Sequence, residues 1–470
     1  MEFTTTERGA RKLIKDGYIY VFKKRLANDI SSWECELRRK GQCRATVKLE
    51  PTDEYICMLN EHTHPPSQTK CEVTQVKVGI KRRATETRDN ARNILAVEVG
   101  NISQAAAVNL PSMINLGRSI RSQRQIRFDH PNPVAREAIP AIPLELTQTQ
   151  TGEQFLIYDS GIGDNDRILI FGAPDELQLL RDSPHWFCDG TFKVSPGIFF
   201  QVYTIHAMVN GQVIPCIYAL LPNKTEVQYN RLFRHVSDAL NRENHPEDIL
   251  TDFERAAINA AANVFDGTEI KGCFFHLCSN VWKRIQASGL QPRYNADPEF
   301  ANTLRMLLAL ALVPEDDMIR FFEQYCDYAR NLYHQDCDQV IDYFEETYVG
   351  LFRRNAPRRA PMFDQTLWNM FHRTILELPR TSNSVEGWHR SFQTTVSTVH
   401  PSFGRFLEAL KQEQAHNRVQ LLQALGGHPA PPQRRRYADN NQRLIQLVDN
   451  FQNMEPIQYL RSVAHNLGLH

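Results

Sequence analysis

The chain has 470 residues, 42% of them apolar and 23% charged, which excludes a disordered or fibrous protein and predicts roughly two to four domains. Net charge is zero, but the first 127 residues hold +9 and the other 343 hold −9, so a basic front that meets a polyanion precedes an acidic body. The longest apolar run, 306–313, is far short of the ~20 residues of a membrane span; MEFTTTERGA does not read as a signal peptide, and ten scattered cysteines suit a reducing compartment better than a disulfide scaffold.

In chain order, Tyr18, Tyr20 and Phe22 alternate with Ile19 and Val21, predicting a strand over 18–22 after a turn at Gly17. Further short strands are expected at 33–35, 45–49 and 55–59, with turns at 40–41 and 51–53. So small a β unit buries little core, and a structural metal would supply the missing stability. Cys35 and Cys43 lie eight positions apart, and His62-x-His64 follows. Two soft thiolates and two imidazoles complete a closed tetrahedral shell for Zn²⁺; on a strand, residues two apart such as His62 and His64 would share a face. The alternative, cysteines acting as small buried hydrophobes, is outweighed by four ligand types in order.

Phe3, Leu13, Tyr18 or Tyr20, Trp33, Cys35, Cys43, His62 and His64 resemble, in that order, the FLYWCH zinc finger over residues 3–66. The resemblance implies zinc binding and a DNA- or protein-binding role for a module spanning 1–68. Cys57 and Cys71 lie outside its pattern and are assigned to core and linker.

From 77 to 127 the pattern turns helical. ARNILAVEVG and NISQAAAVNL predict two helices broken at Gly100-Asn101, and LPSMINLGRSIRSQRQIR predicts a third. In it Arg118, Arg121 and Arg124 recur every three residues, lining one helix face with guanidinium groups. This basic connector reads as a helix-turn-helix-like element laid against DNA phosphates, with a solvated helix as the alternative. HPNPVAREAIPAIPLE, with four prolines, predicts a linker over 128–150.

Next, 187–194 alternates around Asp189, and two more strands meet at Asn210-Gly211, a hairpin dipeptide. A helix over 227–241, a short strand ending at Asp252, an alanine-rich helix and a strand passing into a helix in EIKGCFFHLCSNVWKRIQ complete an α/β unit with ligand sites at its strand ends. Phosphodiester chemistry on paired divalent ions ~3.5–4 Å apart needs several hard oxygen ligands. Asp189 and Asp252 therefore require a third carboxylate. The candidate is Glu386 in LPRTSNSVEGWHRSFQ, on a helix capped by Asn383 or Ser384, with His389 one turn on.

CDGTFKVSP, LTDFERAAINAA, GCFFHLCSNVWKRIQ and TSNSVEGWHRSF resemble successive blocks of a Mutator-like element (MULE) transposase domain, over 183–418. The resemblance implies an RNase H-like fold in which Asp189, Asp252 and Glu386 are catalytic ligands of Mg²⁺ or Mn²⁺. It places Cys273 and His276 beside the site, supporting it or touching DNA, and His389 is grouped with them as auxiliary. Two residues cannot close a zinc shell and Cys278 makes a poor third ligand, so no metal is expected there. The apolar spacing over 292–378 predicts an all-helical insertion within a domain spanning 151–425. Residues 426–470 read as a Pro- and Arg-rich tether to one last helix over 443–467, a solvated tail, with binding to DNA or to a partner subunit as the alternative.

The expectation is a multidomain α/β protein: a small β-rich zinc finger, a basic helical connector, and an RNase H-like α/β domain with a helical insertion. The function expected is that of a nuclear MULE-type DNA transposase, binding double-stranded DNA and cutting and joining strands by two-metal transfer, with no membrane partner. The alternatives are a transposase-derived DNA-binding protein without catalysis and a protein-interaction scaffold. The family implies a homo-oligomer.

Overall fold

A computed structural model describes residues 1–470 except 6–10, 41, 88, 90, 128–132, 242–244, 431, 433–434 and 469–470, and omits the side chains of 4–5, 39–40 and 124–127. The chain divides into two units, Met1–Pro131 and Asn132–His470.

The first unit opens with a six-stranded antiparallel sheet in sequence order: β1 (Glu2–Thr5), β2 (Arg11–Lys15), β3 (Tyr18–Arg25), β4 (Ser31–Cys35), β5 (Thr46–Leu49) and β6 (Tyr55–Leu59). The sequence pattern does not predict β1 and β2, because EFTT and RKLIK carry too little alternation. Pairing makes them strands, with Phe3 opposite Leu13 and Leu13 opposite Tyr20. Asp16 and Gly17 both have positive φ, 53° and 79°, the signature of a tight hairpin turn. Leu13, Tyr20, Trp33, Val47 and Leu49 form the small core, and Phe3 and Phe22 meet the Trp33 ring at 5.7 and 5.5 Å.

Four helices follow: Gln68–Glu86, Ala91–Val99, Gln104–Asn109 and Met113–Arg127. The chain breaks at Gly100-Asn101 as predicted, and Ser103 caps the next helix by accepting from the Ala106 N–H at 3.2 Å. Val76, Ile80, Ile94, Leu95, Leu116 and Ile120 make their shared core. The first helix starts at Gln68, well before the expected helical pattern. Its Cys71 is buried against Ile14 and Ile19 of the sheet, so Cys71 belongs to core rather than linker, whereas Cys57 is only half-buried on edge strand β6.

The second unit is built on a seven-stranded sheet ordered β13-β12-β9-β10-β11-β8-β7. Its strands are β7 (Leu156–Asp159), β8 (Leu169–Phe171), β9 (His185–Thr191), β10 (Gln201–Val209), β11 (Gln212–Leu221), β12 (Asp248–Thr251) and β13 (Glu269–Gly272). β9, β10 and β11 are antiparallel, and β12 and β13 run parallel to β9. The hairpin turn at Asn210-Gly211 has φ of 47° and 74°. Alternation sends Trp186 and Cys188 to one face, where helices Glu226–Ala239 and Arg255–Val264 pack. Phe187 goes to the opposite core and Asp189 follows it, two residues on. That second face carries helices Asn383–Val396 and Phe403–Leu425. At the start of β12, buried Asp248 pairs with Arg373 at 2.6 Å and His185 at 2.5 Å, fixing the strand register from its far end.

Two expectations are corrected. Residues 133–150 are not a free linker: Ile139 is buried in the sheet core, its carbonyl accepts from Arg167 at 2.6 Å, and Arg136 donates to the Ile198 carbonyl at 3.1 Å. The prolines set an extended path along the unit, not a tether. Nor is 426–470 a solvated tail. It forms two helices, Arg435–Asp449 and Pro456–His465, separated before Pro456. Leu444, Val448, Tyr459, Leu460, Val463 and Ala464 complete the core of the helices between Phe274 and Ile375. Among the described residues no helix is long and apolar enough to cross a membrane.

Candidate functional site

Cys35 ends β4, Cys43 lies in the loop before β5, and His62 and His64 lie in the loop after β6. The two histidines converge from a loop, not by strand alternation. One donor atom from each of the four lies within 4.8 Å of all the others. Cys35 Sγ to His64 Nε2, Cys43 Sγ to His62 Nδ1 and His62 Nδ1 to His64 Nε2 are each 3.3 Å. A tetrahedron with metal–nitrogen bonds near 2.0 Å and metal–sulfur bonds near 2.3 Å has edges of about 3.3–3.8 Å, so the four residues fit zinc.

The outer contacts fix which nitrogen faces the centre. The Tyr20 hydroxyl lies 2.7 Å from His62 Nε2, leaving Nδ1 for the ion. His64 Nδ1 donates to the Pro65 carbonyl at 3.1 Å, leaving Nε2. Tyr18 stacks on His62 with centroids 3.5 Å apart. Burial, with the neighbouring Cys43, holds the Cys35 thiol up at about 11, a cost that a bound cation removes. The Ser67 N–H donates to the Gly17 carbonyl at 2.9 Å, tying the end of the histidine loop to the β2–β3 turn. Among these contacts the hydroxyl partner of His62 has a sequence signal only in hindsight, the Tyr-x-Tyr alternation of β3.

The acidic residues gather at one end of the second sheet. Leu250 of β12 pairs with Phe187 of β9, and continuing that register two residues sets Asp252, just past the end of β12, beside Asp189. Glu386 stands in the first turn of Asn383–Val396, the helix that packs on β9. Asp189 is 7% exposed and accepts from the Gly190 N–H at 2.8 Å. Burial pushes its carboxyl up to about 7, the Asp252 and Glu386 charges add to the rise, and His276 and the Gly190 N–H oppose it. The three carboxylates therefore share one electrostatic field. Their oxygens do not all come within 4.8 Å of one another; among the described residues only the Cys₂His₂ set does.

The auxiliary residues surround this field. His389 Nδ1 is 3.6 Å from Asp189 Oδ2, and its Nε2 is 3.3 Å from Thr204 Oγ1. Thr204 in turn donates to the Asp189 carbonyl at 3.3 Å. Burial lowers His389 to about 4, so the ring is neutral. Cys273 is fully buried at the start of helix Phe274–Ala287. Its N–H donates to the carbonyl of Thr251, next to Asp252, at 2.6 Å. Its sulfur accepts from both the N–H and hydroxyl of Ser382 at 3.2 Å. Burial raises the Cys273 thiol, but His276 and Ser382 outweigh it and the net shift is downward. Burial lowers His276, yet Cys273, Asp189 and Asp252 raise it to about 9.

Ser382, not Asn383 or Ser384, occupies the cap position before the Glu386 helix, and its hydroxyl serves Cys273 instead of capping. Ser382 and Thr204 are partners that no local pattern reveals, because each meets a residue over a hundred or nearly two hundred positions away along the chain. In the first unit Arg118 and Arg121 are exposed on helix Met113–Arg127, with Arg118 donating to Asn115 at 3.4 Å. The side chain of Arg124 lies outside the described residues.

No curated protein matches the chain. The MULE transposase domain family matches residues 185–280, taking in Asp189, Asp252, Cys273 and His276 and ending before Glu386. The FLYWCH zinc finger domain family matches residues 3–64, all four metal-ligand candidates included. By these two matches the chain is similar to a FLYWCH zinc finger followed by a MULE transposase domain, the architecture its motifs indicate.

Proposed function

We propose that the protein is a nuclear DNA transposase of the Mutator-like type. Its zinc finger and the Arg118, Arg121 and Arg124 helix would bind double-stranded DNA, and a catalytic domain within 151–425 would cut and join strands. The strand order with three antiparallel strands and two parallel additions at β9 supports an RNase H-like fold, with the helices from Gln291 to Ile375 as its insertion. The observation that carries the reading is the shared field of Asp189, Asp252 and Glu386 at the end of β9 and β12. Hard carboxylates in a half-buried, mutually repelling group fit Mg²⁺ or Mn²⁺. Divalent ions there supply charge neutralisation at a phosphodiester and a lowered pKa for attacking water.

The protein groups have separable tasks. His389 and Thr204 hold Asp189 in place from behind. Cys273 links the end of β12 to the residue before the Glu386 helix. His276, positively charged, offsets part of the carboxylate repulsion. A homo-oligomer is part of the proposal, since paired ends of a mobile segment require paired active sites.

The second reading, a DNA-binding regulator without catalysis, draws on the three carboxylates not forming one tight cluster among the described residues. One experiment tests both: Mg²⁺- or Mn²⁺-dependent cleavage of duplex DNA by the full chain and by Asp252→Asn. The transposase reading expects cleavage abolished in the variant with DNA binding retained. Equal cleavage by both would sink the assignment, and binding without cleavage by the unaltered chain would establish the regulator.

A further inference from the structure

Between Tyr348 and Phe363 the second unit projects a loop, VGLFRRNAPRRAPM, with four arginines, one phenylalanine and no acid. Its base is built, not loose. The rings of Tyr348 and Phe363 stand edge-on to Phe253 at 5.8 and 5.1 Å. Phe253 directly follows Asp252, so the loop rises from the same end of β12 as the acidic residues. Gly350 has φ of +95°, and a Cβ there would collide with the Arg359 carbonyl, so only glycine fits this close approach. The Arg359 N–H closes the base by donating to the Leu351 carbonyl at 2.9 Å. Arg358 turns inward, bonding Glu345 at 2.5 Å, the Gly350 carbonyl at 2.8 Å and Glu323 at 2.8 Å.

One arginine thus fixes the loop and three are left to solvent. Arg353, Arg354 and Arg359 are exposed and, among the described residues, form no ion pair. Phe352 is 68% exposed, its ring 5.7 Å from the Arg358 guanidinium. A merely solvated charge run has no use for a clamped base or for an aromatic ring held out among its cations. Guanidinium groups suit phosphate oxygens, and an aromatic face beside them suits a base free of its partner.

We propose that the 350–361 loop binds DNA beside the acidic site, with Arg353, Arg354 and Arg359 on backbone phosphates and Phe352 stacked on an unpaired base. This rests on the reading of the acidic site as one that acts on DNA. The test uses the full chain, fluorescence anisotropy over a salt series, and two probes: a blunt duplex and the same duplex with a short unpaired 3′ extension. The triple variant R353Q/R354Q/R359Q is expected to reduce the slope of log affinity against log salt by about 2–3, since each phosphate contact contributes about 0.9. Phe352→Ala is expected to lose about tenfold in affinity for the extended probe and nothing for the blunt one. All four side chains are solvent-facing, and unchanged melting temperatures verify that the variants fold.

If the unaltered chain binds DNA and the triple variant keeps its full slope, the loop proposal falls while the reading of the acidic site stands. Equal losses on both probes for Phe352→Ala remove the stacking role. An unaltered chain that binds neither probe at low salt overturns both readings together.

Discussion

Replacing Asp189 with asparagine is expected to stabilise the metal-free protein at high pH, even though it removes a proposed catalytic ligand. The folded protein moves this carboxyl from its ordinary 3.8 to about 7, and each unit corresponds to about 1.4 kcal/mol. The ionised form therefore costs the folded state roughly 4 kcal/mol. The sign follows from where the proton sits. Below about pH 4 both folded and unfolded chains hold it and the cost is absent. Between about pH 4 and 7 only the folded chain holds it, so stability falls as pH rises; above about pH 7 both have released it and the whole cost applies. Asparagine keeps an oxygen for the Gly190 N–H, now accepted by Asp189 at 2.8 Å, and carries no charge to repel Asp252 and Glu386. Calorimetry in a chelator at pH 5 and pH 8, on both proteins, measures the difference. The variant should melt several degrees higher at pH 8, the gap should shrink at pH 5, and Mg²⁺ should narrow it at pH 8 by favouring the carboxylate. A variant that melts at or below the parent at pH 8, or a gap independent of pH, would refute the account of a repelling carboxylate field.

Two further outcomes are expected. Elemental analysis should find one zinc per molecule in the parent and none in Cys43→Ser. Amides of β3 to β5 should then lose hydrogen-exchange protection; full protection in a zinc-free variant would show that the small core around Trp33 holds without metal. Leu460→Ala, at a fully buried position, should cost about 2–5 kcal/mol, whereas Leu422→Ala, 47% exposed, should stay within about 0.5 kcal/mol. Equal melting of the two would contradict the packing described for the Pro456–His465 helix.

The Cys₂His₂ cluster was legible because thiolate and imidazole in order have few uses other than metal binding, and no long-range geometry is needed to recognise them. Their support by Tyr20 and by the Gly17 turn required the sheet. The two aspartates were legible from alternation and strand ends, but Thr204, which bonds the Asp189 carbonyl, and Ser382, which bonds Cys273, come from elsewhere in the chain and carry no local mark. Proline and arginine misled twice. The four prolines of 131–143 read as a tether although Ile139 among them is buried. The Arg-rich opening of the last segment made its predicted helix read as a solvated tail, although Tyr459, Leu460, Val463 and Ala464 are fully buried. Cys71 likewise looked like linker because its partners, Ile14 and Ile19, sit in strands the pattern only partly shows.

The closure of the helical core by its last two helices has a consequence for biosynthesis. Asn302 Nδ2 donates to the Arg461 carbonyl across 159 positions of chain, and Tyr459 donates to the Leu312 carbonyl. Arg380, in the segment leading into the Glu386 helix, donates to Asn441 at 2.7 Å. While the chain emerges from the ribosome, the sheet with Asp189 and Asp252 has all its strands long before these partners exist. The apolar groove left by Tyr459 and Leu460 stays open to chaperones, and the approach to Glu386 stays unbraced, until residues 435–465 are made. A prematurely released chain would carry both aspartates on an unfinished scaffold, so the segment leading into the Glu386 helix is braced only once translation has passed 435–465.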